Sequence, residues 1–478
     1  MNINENDIQS IVAHVLAQLG GTQNPPAPSR SYSGRFGQFV DLDDAVFAAR
    51  EAFEQLEKKS IAERRLAIDA IRSVSNAHAV EFGTMEMQET KIGRLDHKIQ
   101  KQAGVGRSTP GIEFLKTDCY SGDFGLTVIE HAPFGVIAAC TPVTHSLPTV
   151  TCNAIGMIAA GNSVVFTPHP GGKKIAALGV KMYNEAIYNA IGIDNLLTIL
   201  TEPKVELVEQ LFAHRQVSLI NVTGGQAVAR VALRQQKRAV VSGPGNPPVV
   251  VDETADLDHA AKSIIFGAAY DNNLLCLAEK EVFVVDSVFD AMMDAMSRAG
   301  AYRLSPQQTD ALTRKAIVYT GEGEHKHAVP SRDFLGQSPV TMGRLMGWNI
   351  PESVELLYGE TNETNPFVPV EQMMPFVPFV RCRNVDHGIA LAVKYEHGFR
   401  HTGIMHSRNI ESLTKMGKAI DTTIFVKNGA SVAGLGMGGE GYSSFSIAGM
   451  TGEGITNPLT YTRSRRCTLV DSLHILGK

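Results

Sequence analysis

Residues 131–172 read HAPFGVIAACTPVTHSLPTVTCNAIGMIAAGNSVVFTPHPGG and contain no Asp, Glu, Lys or Arg. A stretch this long without a formal charge belongs in a membrane or in a protein interior. A membrane-spanning helix needs about 20 consecutive apolar residues. Pro133, Pro142, Pro148, Asn153, Asn162 and several glycines interrupt every such run, so the interior is the reading. Within it Gly135–Cys140 reads as a strand, residues 147–160 as a helix and Ser163–Phe166 as a strand. The same alternation continues downstream. QVSLINVT (216–223) reads as a strand that ends at Gly224 and Gly225, and QAVARVALRQQKR (226–238) reads as a helix. A further strand, Pro248–Asp252, follows SGPGN (242–246). Strands alternating with helices predict the α/β class, with a mainly parallel sheet covered on both faces.

A second alternating stretch begins after Asp256. It holds a helix at 257–270 and strands at EVFVVD (281–286), VPFVRCR (377–383) and HTGIMHS (401–407). Upstream, residues 41–101 read as helical, and CYSGDFGLTVIEH (119–131) as strand-like pieces around Gly122 and Gly125. The end of the chain carries a glycine-rich segment, AGLGMGGEG (433–441), and then a strand, YTRSRRCTLVD (461–471). Near the start, Ile8, Ile11, Val12, Val15, Leu16 and Leu19 draw one apolar stripe on a short helix. Gly20 and Gly21 stop it, and TQNPPAPSRSYSGRFGQ (22–38) reads as a flexible linker. Two readings of this helix stand: it docks on its own domain, or it enters a groove of another protein.

The chain has 478 residues, enough for two or three domains. Hydrophobic residues make up 44% and charged residues 19%, which excludes disorder for most of the chain. The balance of 44 basic and 49 acidic residues excludes a strongly basic nucleic-acid binder and gives no reason to expect a membrane partner. The cysteines, at 119, 140, 152, 276, 382 and 467, form no CxxC pair and no cluster with histidines. A disulfide scaffold and a zinc site are therefore not expected, and the compartment is expected to be reducing. MNINENDIQS lacks the basic region of a secretory signal.

Two features bear chemistry. In VTGGQAVAR (222–230) a strand meets a helix through two glycines, where backbone N–H groups and the helix dipole suit a phosphate. Glycine pairs are also common in ordinary strand-to-helix turns. The other is Cys276, in AAYDNNLLCLAEKEVFVV (268–285). A lone cysteine is often a small buried hydrophobe. The polar flank Asp271-Asn272-Asn273 favours a segment that reaches a cleft, where a thiolate nucleophile would sit.

APFGVIAACTP (132–142), AIGMIAAGNSVVF (154–166), NVTGGQAVAR (221–230), Cys276 and EQMMP (371–375) together resemble the aldehyde dehydrogenase superfamily, over about 36–470. AAGNSVVFTPHP (159–170), NNLLCLAEKEVFVV (272–285), and GLGMGGEG followed by RRCTLVD, resemble its CoA-acylating propionaldehyde and acetaldehyde dehydrogenases of bacterial microcompartments. The resemblance implies a dinucleotide-binding domain (38–112 and 133–241), a catalytic domain (242–440) and an oligomerisation element (113–132 and 441–478). That element would join its hairpin to the C-terminal strand, contributed across subunits, in a homo-oligomer such as a dimer or tetramer. Residues 1–20 would be a targeting helix for a shell protein and 21–37 its linker. The location implied is cytoplasmic, inside a microcompartment.

The resemblance also implies a mechanism. The Cys276 thiolate attacks a short-chain aldehyde, with propanal favoured over acetaldehyde, and the oxyanion meets the Cys276 N–H and a second donor. The superfamily usually offers an Asn there. His145 stands in the matching segment and is the candidate here, with Asn153 two helical turns on and expected to face the same cleft. NAD is the expected cofactor and coenzyme A the co-substrate. Thr141, Pro142, Thr167, Pro168, His169, Thr223, Gly224, Gly225 and Glu371 are the expected cofactor-binding residues. Glu371 would hold the nicotinamide ribose and Gly224–Gly225 the pyrophosphate. Hydrolytic members use a Glu to activate water, and the matching position is Val241, so the acyl group should leave to CoA. The alternatives are a hydrolytic aldehyde dehydrogenase and a non-catalytic shell-associated protein.

Overall fold

The computed structural model describes residues 32, 34–321, 323 and 327–475. The expected helix at 8–19 lies outside them. The charge-free stretch folds as the strand β4 (Val136–Thr141), the helix Ser146–Ala159, and the strand β5 (Ser163–Pro168). Every residue of that helix is buried. It packs on β4 and β5 beneath the helices Ile61–Ala77, Leu95–Ser108 and Lys173–Ile191, which leaves no face for an unpaired charge.

In chain order the first strands are β1 (Gln38–Phe39), β2 (Asp118–Gly122), β3 (Gly125–Pro133), β4 (Val136–Thr141), β5 (Ser163–Pro168), β6 (Leu197–Leu200), β7 (Val217–Thr223) and β8 (Ala239–Ser242). Six of them form a parallel sheet in the order β1-β6-β5-β4-β7-β8. β5 lies on one side of β4 and β7 on the other, so the order reverses at β4. A crevice for ligands forms at such a switch point, outside the C-terminal ends of the strands.

The next strands are β9 (Pro248–Val251), β10 (Glu281–Val285), β11 (Tyr302–Arg303), β12 (Ile317–Thr320), β13 (His327–Pro330), β14 (Leu357–Thr361), β15 (Phe376–Cys382), β16 (Thr402–His406) and β17 (Ile424–Lys427). Seven of these form a second parallel sheet, β11-β14-β15-β10-β9-β16-β17, while β12 and β13 make a hairpin. β9 and β10 are buried along their whole length, as central strands between helical layers must be. Helix starts are written locally. Ser60 and Glu63 form a capping box, and Asp256 accepts from the His259 N–H.

Three strands remain: β18 (Ile447–Ala448), β19 (Gly454–Ile455) and β20 (Thr462–Val470). β20 pairs with β3 of its own chain, from Thr462 opposite Pro133 to Val470 opposite Gly125. The hairpin and the C-terminal strand are thus joined within one chain. The β2–β3 hairpin leaves one edge of β3 open, and Asn162 Nδ2 anchors the incoming chain by donating to Tyr461 O at 2.9 Å. The resulting sheet is solvent-facing, with β2 exposed throughout and β20 exposed beyond Thr462.

Candidate active site

The C-terminal ends of β4, β5, β7 and β8 open on a cavity of about 460 Å³. Its far wall comes from Leu274, Cys276, Glu371, Met373, Phe445 and Ile447. Thr141, Pro142, His145, Thr167, Pro168, His169, Thr223, Gly224, Gly225, Cys276 and Glu371 therefore meet on one cavity, although they span residues 141–371 in sequence. Asn153 does not join them. It is buried, and its Oδ1 accepts from Ser446 Oγ at 2.9 Å. Because the helix around it is buried on every side, its periodicity marks no cleft face.

The dinucleotide end is built by β7 and the helix Gln226–Leu233. Gly225 is its N-cap, and a β-carbon there would meet nothing within 4 Å. At Gly224 it would meet only Val228 Cγ1, at 3.1 Å. The backbone is thus open to close approach at the positive end of a helix, which suits a diphosphate. Thr141 Oγ1, Thr167 Oγ1 and Ser242 Oγ are buried here with no hydrogen-bond partner among the described residues. Buried hydroxyls are normally satisfied, so three orphans around one cavity fit a polar guest such as a dinucleotide.

Cys276 lies at the other end. Burial pushes its thiol up to about 12, the nearby Glu371 carboxylate adds to the rise, and Lys280 opposes it. Glu371 is itself pushed up to about 7 by burial, against Lys280 and the Gly245 N–H. Lys280 is fully buried beneath both. Its Nζ donates to Asn273 Oδ1 at 2.6 Å, Asn273 O at 2.9 Å and Leu275 O at 3.2 Å, so it braces the turn that presents the thiol. In that turn Asp271, Asn272 and Asn273 have φ of 51°, 55° and 64°. Non-glycine residues hold this conformation only when surrounding contacts enforce it. Lys280 and its neighbours Glu279 and Glu281 are three consecutive charged residues, yet all three are buried. Their place under the nucleophile carried no sequence signal.

His145 is buried with its Nδ1 unpartnered, and its ring stands 5.0 Å from that of Phe445. Burial and the charges of Lys101 and Lys98 hold it well below its ordinary range, so the ring is neutral. Val241, the residue matching the water-activating position, has no access to the cavity. It is buried in β8, and its N–H donates to Thr451 Oγ1 at 3.0 Å. Side chains alternate along a strand, and Ser242 is the residue that faces the cavity. A lone serine hydroxyl is no general base either.

All six cysteines are free. Among the described residues no group of three or more His, Cys, Asp or Glu is placed to hold a metal ion. Among them, too, no helix is long and apolar enough to cross a membrane.

The aldehyde dehydrogenase family matches residues 28–313. The acetaldehyde dehydrogenase (acetylating) EutE of Salmonella typhimurium is 44% identical over 475 residues, covering 99% of this chain and 100% of that protein. A propionaldehyde dehydrogenase from the Clostridium phytofermentans fucose utilisation bacterial microcompartment superposes with a TM-score of 0.88 at 40% identity, covering 92% of this chain and 100% of that one. The Rhodopseudomonas palustris propionaldehyde dehydrogenase, solved with bound CoA and an acylated cysteine, gives 0.88 at 41% identity with the same coverage. With a cysteine and an open helix start facing each other across one cavity, and with relatives matching along almost the whole length, this chain belongs to the aldehyde dehydrogenase family.

Proposed function

We propose that the protein oxidises a short-chain aldehyde to its acyl-CoA. The observation that carries this is the shared cavity of Cys276 and the Gly224–Gly225 helix start. Cys276 gives its proton to solvent and adds as a thiolate to the aldehyde carbonyl, and the resulting oxyanion faces the Cys276 N–H and the neutral His145. NAD, when bound with its diphosphate at Gly224–Gly225 and its nicotinamide ribose at Glu371, supplies the hydride acceptor. Loss of hydride and collapse of the oxyanion leave a thioester on Cys276. Neither Val241, which matches the hydrolytic carboxylate, nor Ser242, which lines the cavity, can serve as a general base, so water is not activated. A CoA thiol, a far better nucleophile than water, takes the acyl group and returns the cysteine. The six-stranded sheet serves the dinucleotide, and the seven-stranded sheet carries the nucleophile.

Propanal is the favoured substrate. Acetaldehyde is the second reading, supported by the 44% identity to an acetylating relative. The exposed β2–β3–β20 sheet, with Tyr120 and Val470 more than half exposed, suits a homo-oligomer. Residues 1–20 carry the apolar stripe that would dock to a microcompartment shell protein. The decisive experiment mixes enzyme, NAD and aldehydes of two to four carbons with and without CoA. Acyl-CoA should appear mole for mole with NADH, depend on CoA, and vanish in Cys276→Ser. Free acid as the main product would overturn the reading.

A further inference from the structure

Lys98 and Lys101 sit one turn apart on the helix Leu95–Ser108 and are 1% and 3% exposed. A buried ammonium group persists only with partners. Lys98 Nζ donates to Glu86 Oε1 at 3.1 Å, and Lys101 Nζ donates to Asp271 Oδ2 at 2.5 Å. Both lysines also donate to one backbone oxygen, Thr144 O, at 3.4 and 3.2 Å. Thr144 precedes His145 in the cavity wall. Asp271 opens the left-handed turn that leads to Cys276. Among the described residues, Lys101 is thus the side chain that hydrogen-bonds both the loop carrying His145 and the loop leading to Cys276.

The contact has a direction. In a trans peptide the C=O and N–H point opposite ways. Holding Thr144 O on two ammonium groups turns the His145 N–H away from them and polarises that peptide. Glu86 completes the clamp from the other side, its Oε2 accepting from the Leu147 N–H at 3.2 Å. The approach to the His145 loop is therefore fixed at both ends by one buried charge cluster, and the same cluster grips the nucleophile turn.

We propose that Lys101, seconded by Lys98, is a positioning residue for the acylation chemistry, fixing the Thr144–His145 peptide relative to Cys276 so that the oxyanion meets its donors. The proposal rests on Cys276 being the nucleophile. Neither lysine touches substrate; each acts through the backbone it holds. Lys101→Met should lower kcat for propanal oxidation about 100-fold and leave KM for NAD within about twofold, because the dinucleotide end is untouched. Lys101→Met also strands the Asp271 charge and should lower the thermal midpoint. Lys101→Met/Asp271→Asn removes that charge and should recover the midpoint while kcat stays low. Lys101→Arg, which keeps the charge and the reach, should recover much of kcat. Recovery of kcat together with the midpoint in the double variant would overturn the proposal, since the pair would then serve folding alone. An unchanged kcat in Lys101→Met would also overturn it. Cys276→Ser, run alongside, separates the two readings: if it stays active, the nucleophile assignment fails whatever Lys101 does.

Discussion

A β-carbon at position 245 would stand 2.2 Å from the carbonyl oxygen of Cys276. The obstacle is backbone, so no side chain can swing aside. Gly245→Ala must displace the Leu274–Cys276 turn or the segment that carries residue 245. Misplacing a reacting group by about 1 Å can cost about 100-fold in rate, and a loss of that order in kcat is expected, with circular dichroism unchanged. A Gly245→Ala enzyme at full speed would mean the turn moves without consequence.

The thiol and Glu371 are electrostatically opposed. Glu371 raises the Cys276 thiol when ionised, and its own value of about 7 means that it ionises across neutrality. Glu371→Gln removes that negative charge and should speed alkylation of Cys276 by iodoacetamide at pH 8, because more thiolate is present. The same change should weaken NAD binding. Alkylation rates followed by mass spectrometry check the first expectation, and a higher KM for NAD the second.

Ser242 and Val241 offer a paired test. A carboxylate at Ser242 would face the cavity, and burial would raise its pKa into the range of a useful base. Ser242→Glu should therefore increase CoA-independent acid release. Val241→Glu would place a charge in the interior of β8, away from the cavity, and should destabilise the protein without adding hydrolysis. Assays of free acid in the two variants, each checked for folding, decide between the positions.

Glu279 sets a pH dependence of stability. Burial raises it from 4.5 to about 7, even though Ser431 N and Oγ donate to it at 2.7 and 2.8 Å. The folded chain binds this proton more tightly than the unfolded chain. Its contribution is fully present below pH 4.5 and is lost as pH rises through 7. The shift corresponds to on the order of 3 kcal/mol. Glu279→Gln does not titrate, so its urea midpoint should fall less than that of the wild type between pH 4.5 and 7. Parallel pH profiles would contradict this.

The parts of the molecule that were legible in sequence share a physical cause. The charge-free run around β4 and β5 could only be buried, and Thr223-Gly224-Gly225 could only be a tight passage from strand to helix. β1 and β6 are two and four residues long and offer too little pattern to be read. Val241 and Ser242 differ by one position, and on a strand one position exchanges the two faces. The buried lysines are the larger gap. Lys98, Lys101 and Lys280 look like surface charges because their partners, Glu86, Asp271 and Asn273, lie on other elements or in unusual backbone conformations. Distance in three dimensions, not local composition, decides that they are inside.

The pairing of β20 with β3 reaches across roughly 330 residues. A ribosome adding roughly 5–20 residues per second needs about 17–66 s to make that stretch. The six-stranded sheet is complete once β8 emerges, so this half can fold during synthesis. Through the remaining interval β3 has only β2 beside it, and its other edge shows unpaired backbone groups to solvent. An open edge recruits other strands. Nascent chains on one message therefore pass through a long window in which they can pair with one another, and cellular chaperones that cover strand edges would act on this protein before β20 arrives.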